Sequence, residues 1–387
     1  MRKKVYLDNA ATTPLDREVL DTMLPYMTDH FGNPSSTHQF GRKTKTAIEN
    51  ARRNIAFLLN ATPREICFTS GGTEADNMAI TSAVVDLGCK RIITTPVEHS
   101  AVIKTSERVS KEFNVPLTYV RLLDNGHVDL EHLKELLQKP GKAVVSLMHG
   151  NNEIANLLPL EEVSALCHEF DAIFHSDTVQ TMGHYEFDLE ELGVHFITGS
   201  AHKFHGPKGV GFLYVDKRLK ISPIIQGGGQ ERQMRGGTEN LYGIVGMAKA
   251  LEISYRDLTE HTEHIWNLKS HTMNRLMAEM PGVEFSGDCS SKDSLYTVLN
   301  VTLPPNPNSA MLLFLMDLEG IAVSGGSACS SGASKGSHVL EAIDAIKQGR
   351  ASLRLSFSRF TTREEVDYAV DKLKALCEVK KEAPEHV

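Results

Sequence analysis

Residues 198–211 read Thr198-Gly-Ser-Ala-His-Lys-Phe-His-Gly-Pro-Lys-Gly-Val-Gly, a Gly-rich turn that follows one short β-branched run, Phe196–Thr198, and leads into another, Val210–Val215. A lysine, Lys203, sits in that turn beside Ser200 and His202. A surface lysine next to Gly and Pro usually carries no chemistry, so its surroundings must decide. Five more apolar runs precede it, at Glu65–Thr69, Arg91–Thr95, Leu117–Leu122, Ala143–Met148 and Ala172–Ser176. Helical patterns near 74–86, 100–112, 129–138 and 160–170 lie between them. Strands alternating with helices predict right-handed crossovers and an α/β fold whose mainly parallel sheet is covered on both faces.

Further out, Ala47, Ile48, Ala51, Ile55, Leu58 and Leu59 repeat at the spacing of one buried helical face, predicting a core helix over 41–59. After Gly227-Gly-Gly229 a long helical pattern runs from about 240 to 280 and marks a change of domain. A second α/β pattern follows, with strands near 296–303 and 352–357 and helices near 308–319 and 363–377. There is no internal repeat or low-complexity tract.

The chain has 387 residues, with 41 Lys plus Arg against 49 Asp plus Glu, a formal charge of −8. At 41% hydrophobic and 23% charged it is ordinary globular protein, long enough for two or three domains. The acidic balance argues against a general nucleic-acid binder, which needs a concentrated basic face. The six cysteines (Cys67, Cys89, Cys167, Cys289, Cys329, Cys377) form no C-x-x-C pair and no disulfide-like framework, so neither a metal site nor an oxidising compartment is expected. No run of about 18 apolar residues occurs and the first residues turn polar early; the expectation is a soluble, cytoplasmic protein with no membrane partner.

Ala172-Ile-Phe-His-Ser-Asp-Thr-Val-Gln delivers Asp177 at the carboxyl end of a buried-looking strand, with Gln180 just beyond. Ligands of open α/β sheets bind at such ends, although a helix cap is a common role for Asp there. Asp177 followed by Lys203, 26 residues on, is the layout that holds pyridoxal phosphate: the carboxylate keeps the pyridine nitrogen protonated and the lysine forms the Schiff base. Thr69-Ser-Gly-Gly-Thr-Glu supplies a phosphate cradle between a strand and a helix, with the N–H groups of Gly72 and Thr73 aimed at the anion. His99, in Val97-Glu-His-Ser, opens a helix where an imidazole could stack on a flat ring and move protons, the competing role being capping by the adjacent Ser100. Asn152, in His149-Gly-Asn-Asn-Glu-Ile, offers a neutral donor at the same edge, or simply a turn.

Tyr6-Leu-Asp-Asn-Ala-Ala-Thr-Thr-Pro, Phe31-Gly-Asn-Pro-Ser-Ser-Thr-His, Thr69-Ser-Gly-Gly-Thr-Glu, Glu98-His99, Asn151-Asn-Glu, Asp177-Thr-Val-Gln, Ser200-Ala-His-Lys, Arg235-Gly-Gly-Thr-Glu-Asn and Ser327-Ala-Cys occur in this order. Together they resemble the cysteine desulfurases of the NifS/IscS type, from near residue 5 to near residue 370. The resemblance implies a fold type I pyridoxal-phosphate-dependent transferase with a seven-stranded, mainly parallel large domain, 16–258. A smaller α/β domain made of 1–15 and 259–387 would carry the catalytic cysteine. It further implies that Lys203 bonds the cofactor, Asp177 faces the pyridine nitrogen, Gln180 bonds the ring's phenolic oxygen and His99 lies over the ring. Gly72, Thr73, Ser200 and His202 would hold the phosphate, and Thr238 would reach that of a neighbouring subunit, which makes the protein a homodimer. Asn152 and Arg354 would receive the substrate carboxylate, for which a guanidinium is well shaped.

Cys329 stands in Ser324-Gly-Gly-Ser-Ala-Cys-Ser-Ser-Gly-Ala-Ser, small residues that predict a mobile loop. The other five cysteines read as buried, inert thiols. By the resemblance, L-cysteine is the substrate, Lys203 removes its Cα proton, and the Cys329 thiolate takes its sulfur as a persulfide while L-alanine leaves. The persulfide would pass to an acceptor protein such as an iron–sulfur scaffold. Gly237, Ser358 and Gly336 depart from the family pattern in ways that touch loop shape more than chemistry. An aminotransferase or selenocysteine lyase would use the same cofactor residues without Cys329, and a non-enzymatic scaffold would need neither Lys203 nor Asp177.

Overall fold

The computed structural model describes residues 3–325 and 337–378; Cys329, with Ser327 and Gly336, lies outside the described residues. Seven strands form one sheet in the spatial order Ile66–Thr69, Gly211–Val215, Phe196–Ser200, Ile173–Asp177, Ala143–Ser146, Arg91–Thr94, Leu117–Tyr119. Gly211–Val215 runs antiparallel to both its neighbours, and every other pairing is parallel. All seven runs read from the sequence are therefore strands of this sheet.

The sheet needs both faces covered because successive residues of each strand point to opposite sides. Ile93, Val145, Phe174, Ile197 and Phe212 pack into one apolar core with the helices Gln39–Leu58 and Leu241–Arg256. Their sequence neighbours Ile92, Val144, Ile173, Phe196 and Leu213 pack into another, against Gly72–Val85 and Ser100–Phe113. Strand order reverses between Arg91–Thr94 and Ala143–Ser146: the chain moves outward to Leu117–Tyr119 and then returns to the other side. The loops leaving those two strands diverge there, which opens a crevice at the carboxyl edge.

A second sheet has the order Ser324–Gly325, Ser352–Ser356, Val298–Thr302, Glu284–Phe285 and is antiparallel throughout. It shares a third core with the helices Leu258–Glu279 and Arg363–Cys377. The N-terminal segment bridges the two sheets. Val5–Tyr6 pairs in parallel with Ile321–Ala322, and the Asn9 Nδ2 donates to the Ser356 carbonyl (2.8 Å). The Thr13 N–H then donates to the His202 carbonyl on the large-sheet side (2.9 Å).

The structure corrects two readings and adds a helix that the sequence reading did not place. The pattern over 240–280 is two helices, Leu241–Arg256 and Leu258–Glu279, separated at Asp257. The strand expected to reach Leu122 ends at Tyr119, and Leu122 makes only an isolated bridge to Val128. A helix at Arg17–Thr28 had no clear signal because Pro25 lies inside it; the Asp16 side chain caps it by accepting from the Glu18 N–H (2.7 Å). No helix among the described residues is long and apolar enough to cross a membrane.

Candidate active site

A cavity of about 360 Å³ opens at the crevice, lined by residues from almost every segment singled out in the sequence. Lys203 reaches it from the 3₁₀ turn Ala201–Lys203, directly after the strand Phe196–Ser200. Its amine donates to the carbonyls of Ala10 and Ala11 in the N-terminal segment. Burial and the nearby Arg354 guanidinium lower its pKa to about 8, because removing an ammonium from water disfavours its charged form. A substantial share of this amine is neutral near physiological pH.

Asp177 ends the strand Ile173–Asp177 and is buried, with Oδ1 accepting the Val179 N–H (2.9 Å). Burial and the neighbouring carboxyl of Asp76 push its pKa up to about 6, with His99 pulling the other way. Gln180 donates through Nε2 to the Ala10 carbonyl (2.9 Å). His99 is itself the N-cap of Ser100–Phe113: Nδ1 accepts the Ala101 N–H (3.2 Å). The cap is therefore the imidazole and not Ser100, which is the first helical residue. With Nδ1 accepting, the neutral ring carries its proton on Nε2.

The helix Gly72–Val85 begins at the cavity with no side-chain cap on its first N–H groups, which leaves them to an anion. Gly71 precedes it at φ +152°, a backbone that side chains rarely adopt. Gly72, Thr73, Ser200 and His202 all line the same wall. His202 Nδ1 lies 3.1 Å from the Thr12 hydroxyl, and burial, aided by Lys203 and Lys208, lowers its pKa to about 4, so the ring is neutral. Arg354, on the strand Ser352–Ser356 of the second sheet, also lines the cavity. Its Nη2 meets Asp8 (2.9 Å) and Ser324 (3.1 Å), and its Nη1 donates to the Asn152 carbonyl (3.1 Å). The buried Nε has no hydrogen-bond partner among the described residues.

The cavity thus brings together Gly72, Thr73, His99, Asn152, Asp177, Gln180, Ser200, His202, Lys203 and Arg354. Thr238 is exposed and does not line it. Its loop is tied to the cradle by Arg235, whose Nε meets Glu74 at 2.9 Å. Cys67, Cys89, Cys167 and Cys289 are buried as expected, whereas Cys377 is only half-buried at the end of its helix. The sequence reading gave no role to Asp76, Met148, Val179 or the backbone of Ala10 and Ala11, which also line the cavity. The motif Tyr6-Leu-Asp-Asn-Ala-Ala was the signal available for the last two, but their contribution is main-chain oxygen, which residue types do not advertise.

An amine of depressed pKa, a buried carboxylate, an uncapped helix N-terminus and a guanidinium with a spare N–H converge on one cavity, and these are the groups that pyridoxal phosphate and an amino-acid carboxylate require. Fold and site together define a pyridoxal-phosphate-dependent enzyme. Residues 5–369 match the family of class-V aminotransferases. The cysteine desulfurase IscS of Dictyoglomus turgidum is 43% identical over 381 residues, covering 98% of this chain and 95% of its own. Among solved structures, a NifS-like protein superposes with a TM-score of 0.88 at 37% identity, covering 97% of this chain and 99% of its own. A structure of SspA in complex with cysteine has a TM-score of 0.77 at 31% identity, covering 93% and 100%. The chain belongs to the class-V aminotransferase family and, within it, to the cysteine desulfurases of the NifS/IscS type.

Proposed function

We infer that the protein is a pyridoxal-phosphate-dependent cysteine desulfurase that releases L-alanine from L-cysteine and takes the sulfur onto Cys329 as a persulfide. The observation that carries this reading is the convergence of Lys203, Asp177 and Arg354 on one cavity, where burial also lowers the pKa of the Lys203 amine. The cofactor, when bound, supplies an electron sink for the substrate's Cα. Lys203 would bond it, Asp177 would face its ring nitrogen, Gln180 its phenolic oxygen, and Gly72, Thr73, Ser200 and His202 its phosphate. Thr238 would serve the phosphate of a second subunit in a homodimer.

Arg354 and Asn152 receive the substrate carboxylate; the Arg354 guanidinium, now held by Asp8, Ser324 and the Asn152 carbonyl, would exchange part of those contacts for it. Once displaced by substrate, the neutral Lys203 amine takes the Cα proton. His99, with Nε2 left for the cavity, exchanges protons with the substrate. The Cys329 thiolate forms an S–S bond to the substrate sulfur as the C–S bond breaks. That bond's electron pair stays with the carbon fragment, which is protonated to alanine. The persulfide then passes to an acceptor, such as an iron–sulfur scaffold, in the cytoplasm.

The division 16–258 against 1–15 plus 259–387 is supported by the cores. Val19 and Leu241 to Ile253 pack with the large sheet, while Val5, Leu7 and Ile265 onward pack with the small one. Purified protein should release alanine and sulfide from L-cysteine under reductant, and borohydride should fix the cofactor on Lys203. Cys329→Ala should retain the cofactor and lose desulfurase turnover; full turnover in that variant refutes the persulfide route.

A further inference from the structure

Asp76 is the charged side chain of the cavity that the proposed chemistry does not use. It points inward from the helix Gly72–Val85, is 1% exposed, and leaves its Oδ1 without a hydrogen-bond partner among the described residues. Single ligand atoms of Asp76, His99 and Asp177 all lie within 4.8 Å of one another. Two carboxylates this close and this buried resist ionising together: the first to lose its proton makes the second hold on to its own.

The surrounding groups decide where that proton rests. Asp177 accepts the Val179 N–H, which favours its anion. Asp76 has the Thr198 hydroxyl beside it and, among the described residues, no hydrogen bond at Oδ1. Behind it, His175 Nε2 lies 3.5 Å from Asp76 Oδ1 and 3.1 Å from the Thr198 hydroxyl, with Nδ1 on Ser146 (2.8 Å). That imidazole is fully buried and held neutral, so it brings no compensating charge. From the adjoining loop, Glu98 is buried too, accepting from Thr95 and the Met148 N–H, and it adds negative potential if ionised. Lys203 faces the pair from the turn across the cavity, and Lys203 and His99 both favour ionisation of the carboxylate they reach.

We propose that Asp76 is a positioning residue: it holds the proton of an Asp76–Asp177 carboxyl pair, so that the negative charge sits on Asp177, opposite the cofactor's ring nitrogen. This rests on the reading that Asp177 faces that nitrogen. Burial raises the pKa of both carboxyls, and only Asp177 has a backbone N–H bonded to it that offsets the rise.

The test is carboxyl ¹³C NMR of the apo-protein labelled at aspartate, together with titration of apo-protein by pyridoxal phosphate. Wild type should show two coupled steps for the pair. Asp76→Asn mimics the protonated acid, so it should remove the upper step and leave the lower one, that of Asp177, within about half a pH unit of its wild-type midpoint. The same variant should bind pyridoxal phosphate within about threefold of wild type at pH 7, while Asp177→Asn loses about a hundredfold. A fall of one pH unit or more in the Asp177 midpoint overturns the proposal, as does a loss of tenfold or more in affinity for Asp76→Asn of native circular dichroism, since Asp76 would then carry charge itself. Unchanged affinity in Asp177→Asn overturns the underlying site reading instead. If Asp76→Asn does not fold, Thr198→Val serves: removing the hydroxyl should raise the upper midpoint of the pair, and an unchanged midpoint counts against the idea.

Discussion

Lys203 owes its reactivity to where it is kept. Its pKa of about 8 comes first from burial, and the sign of the consequence follows directly. Below pH 8 the amine is mostly protonated, and each unit of acid cuts the neutral fraction about tenfold; above pH 8 it is mostly free. The rate at which apo-protein takes up the cofactor covalently should therefore climb with pH to about 8 and then level, as read by stopped-flow absorbance. Lys203→Ala should bind the cofactor without bonding it and show no turnover. A rate still rising steeply at pH 10 would show that Lys203 keeps an ordinary ammonium. The residue types at 99, 177 and 203 could be chosen from the sequence because each has a special chemistry. Asp76 could not, since a carboxyl in a helix looks like any solvated acid until its burial is known.

At the scale of elements, the phosphate cradle depends on backbones that approach closely. A Cβ on Gly211 would lie 2.5 Å from the Gly199 carbonyl and 2.8 Å from the Gly71 Cα, and neither is the movable end of a side chain. Gly211→Ala should force the antiparallel strand away from its neighbour and from the loop that starts the cradle helix. Overpacking of this kind costs about 1–3 kcal/mol, measurable by urea unfolding, with weaker cofactor retention in parallel. Normal stability and retention would mean that the loop tolerates displacement. Six of the seven sheet strands were legible as short apolar runs that are almost wholly buried, and the edge strand Leu117–Tyr119, partly exposed, carried a weaker pattern whose end was misplaced. What local pattern did not carry was the direction of Gly211–Val215, which is set by its partners on either side. The break at Asp257 was hidden because both flanking helices keep an apolar face across it.

Across the whole molecule, the site lies between two cores that share little sequence, and the N-terminal segment is the strap that joins them. Ser356, fully buried in the small sheet, accepts the Ala10 N–H through its hydroxyl (2.9 Å), while Gln180 and Lys203 hold the Ala10 carbonyl from the other side. Ser356→Ala should leave the large sheet intact, cost about 1–3 kcal/mol for the orphaned amide, and speed hydrogen exchange at residues 9–12. Unchanged exchange there would show that the strap is held by other contacts. No sequence pattern foretells a contact between residues 10 and 356, because it depends on how the two sheets dock.

The anchors of the Lys203 amine are peptide oxygens, so no exchange of side chain at positions 10 and 11 can delete them. Any residue small enough to fit presents the same two acceptors. Selection, or an engineer, can retune the nucleophile's resting place only by rerouting the main chain, through an insertion, a deletion or a proline.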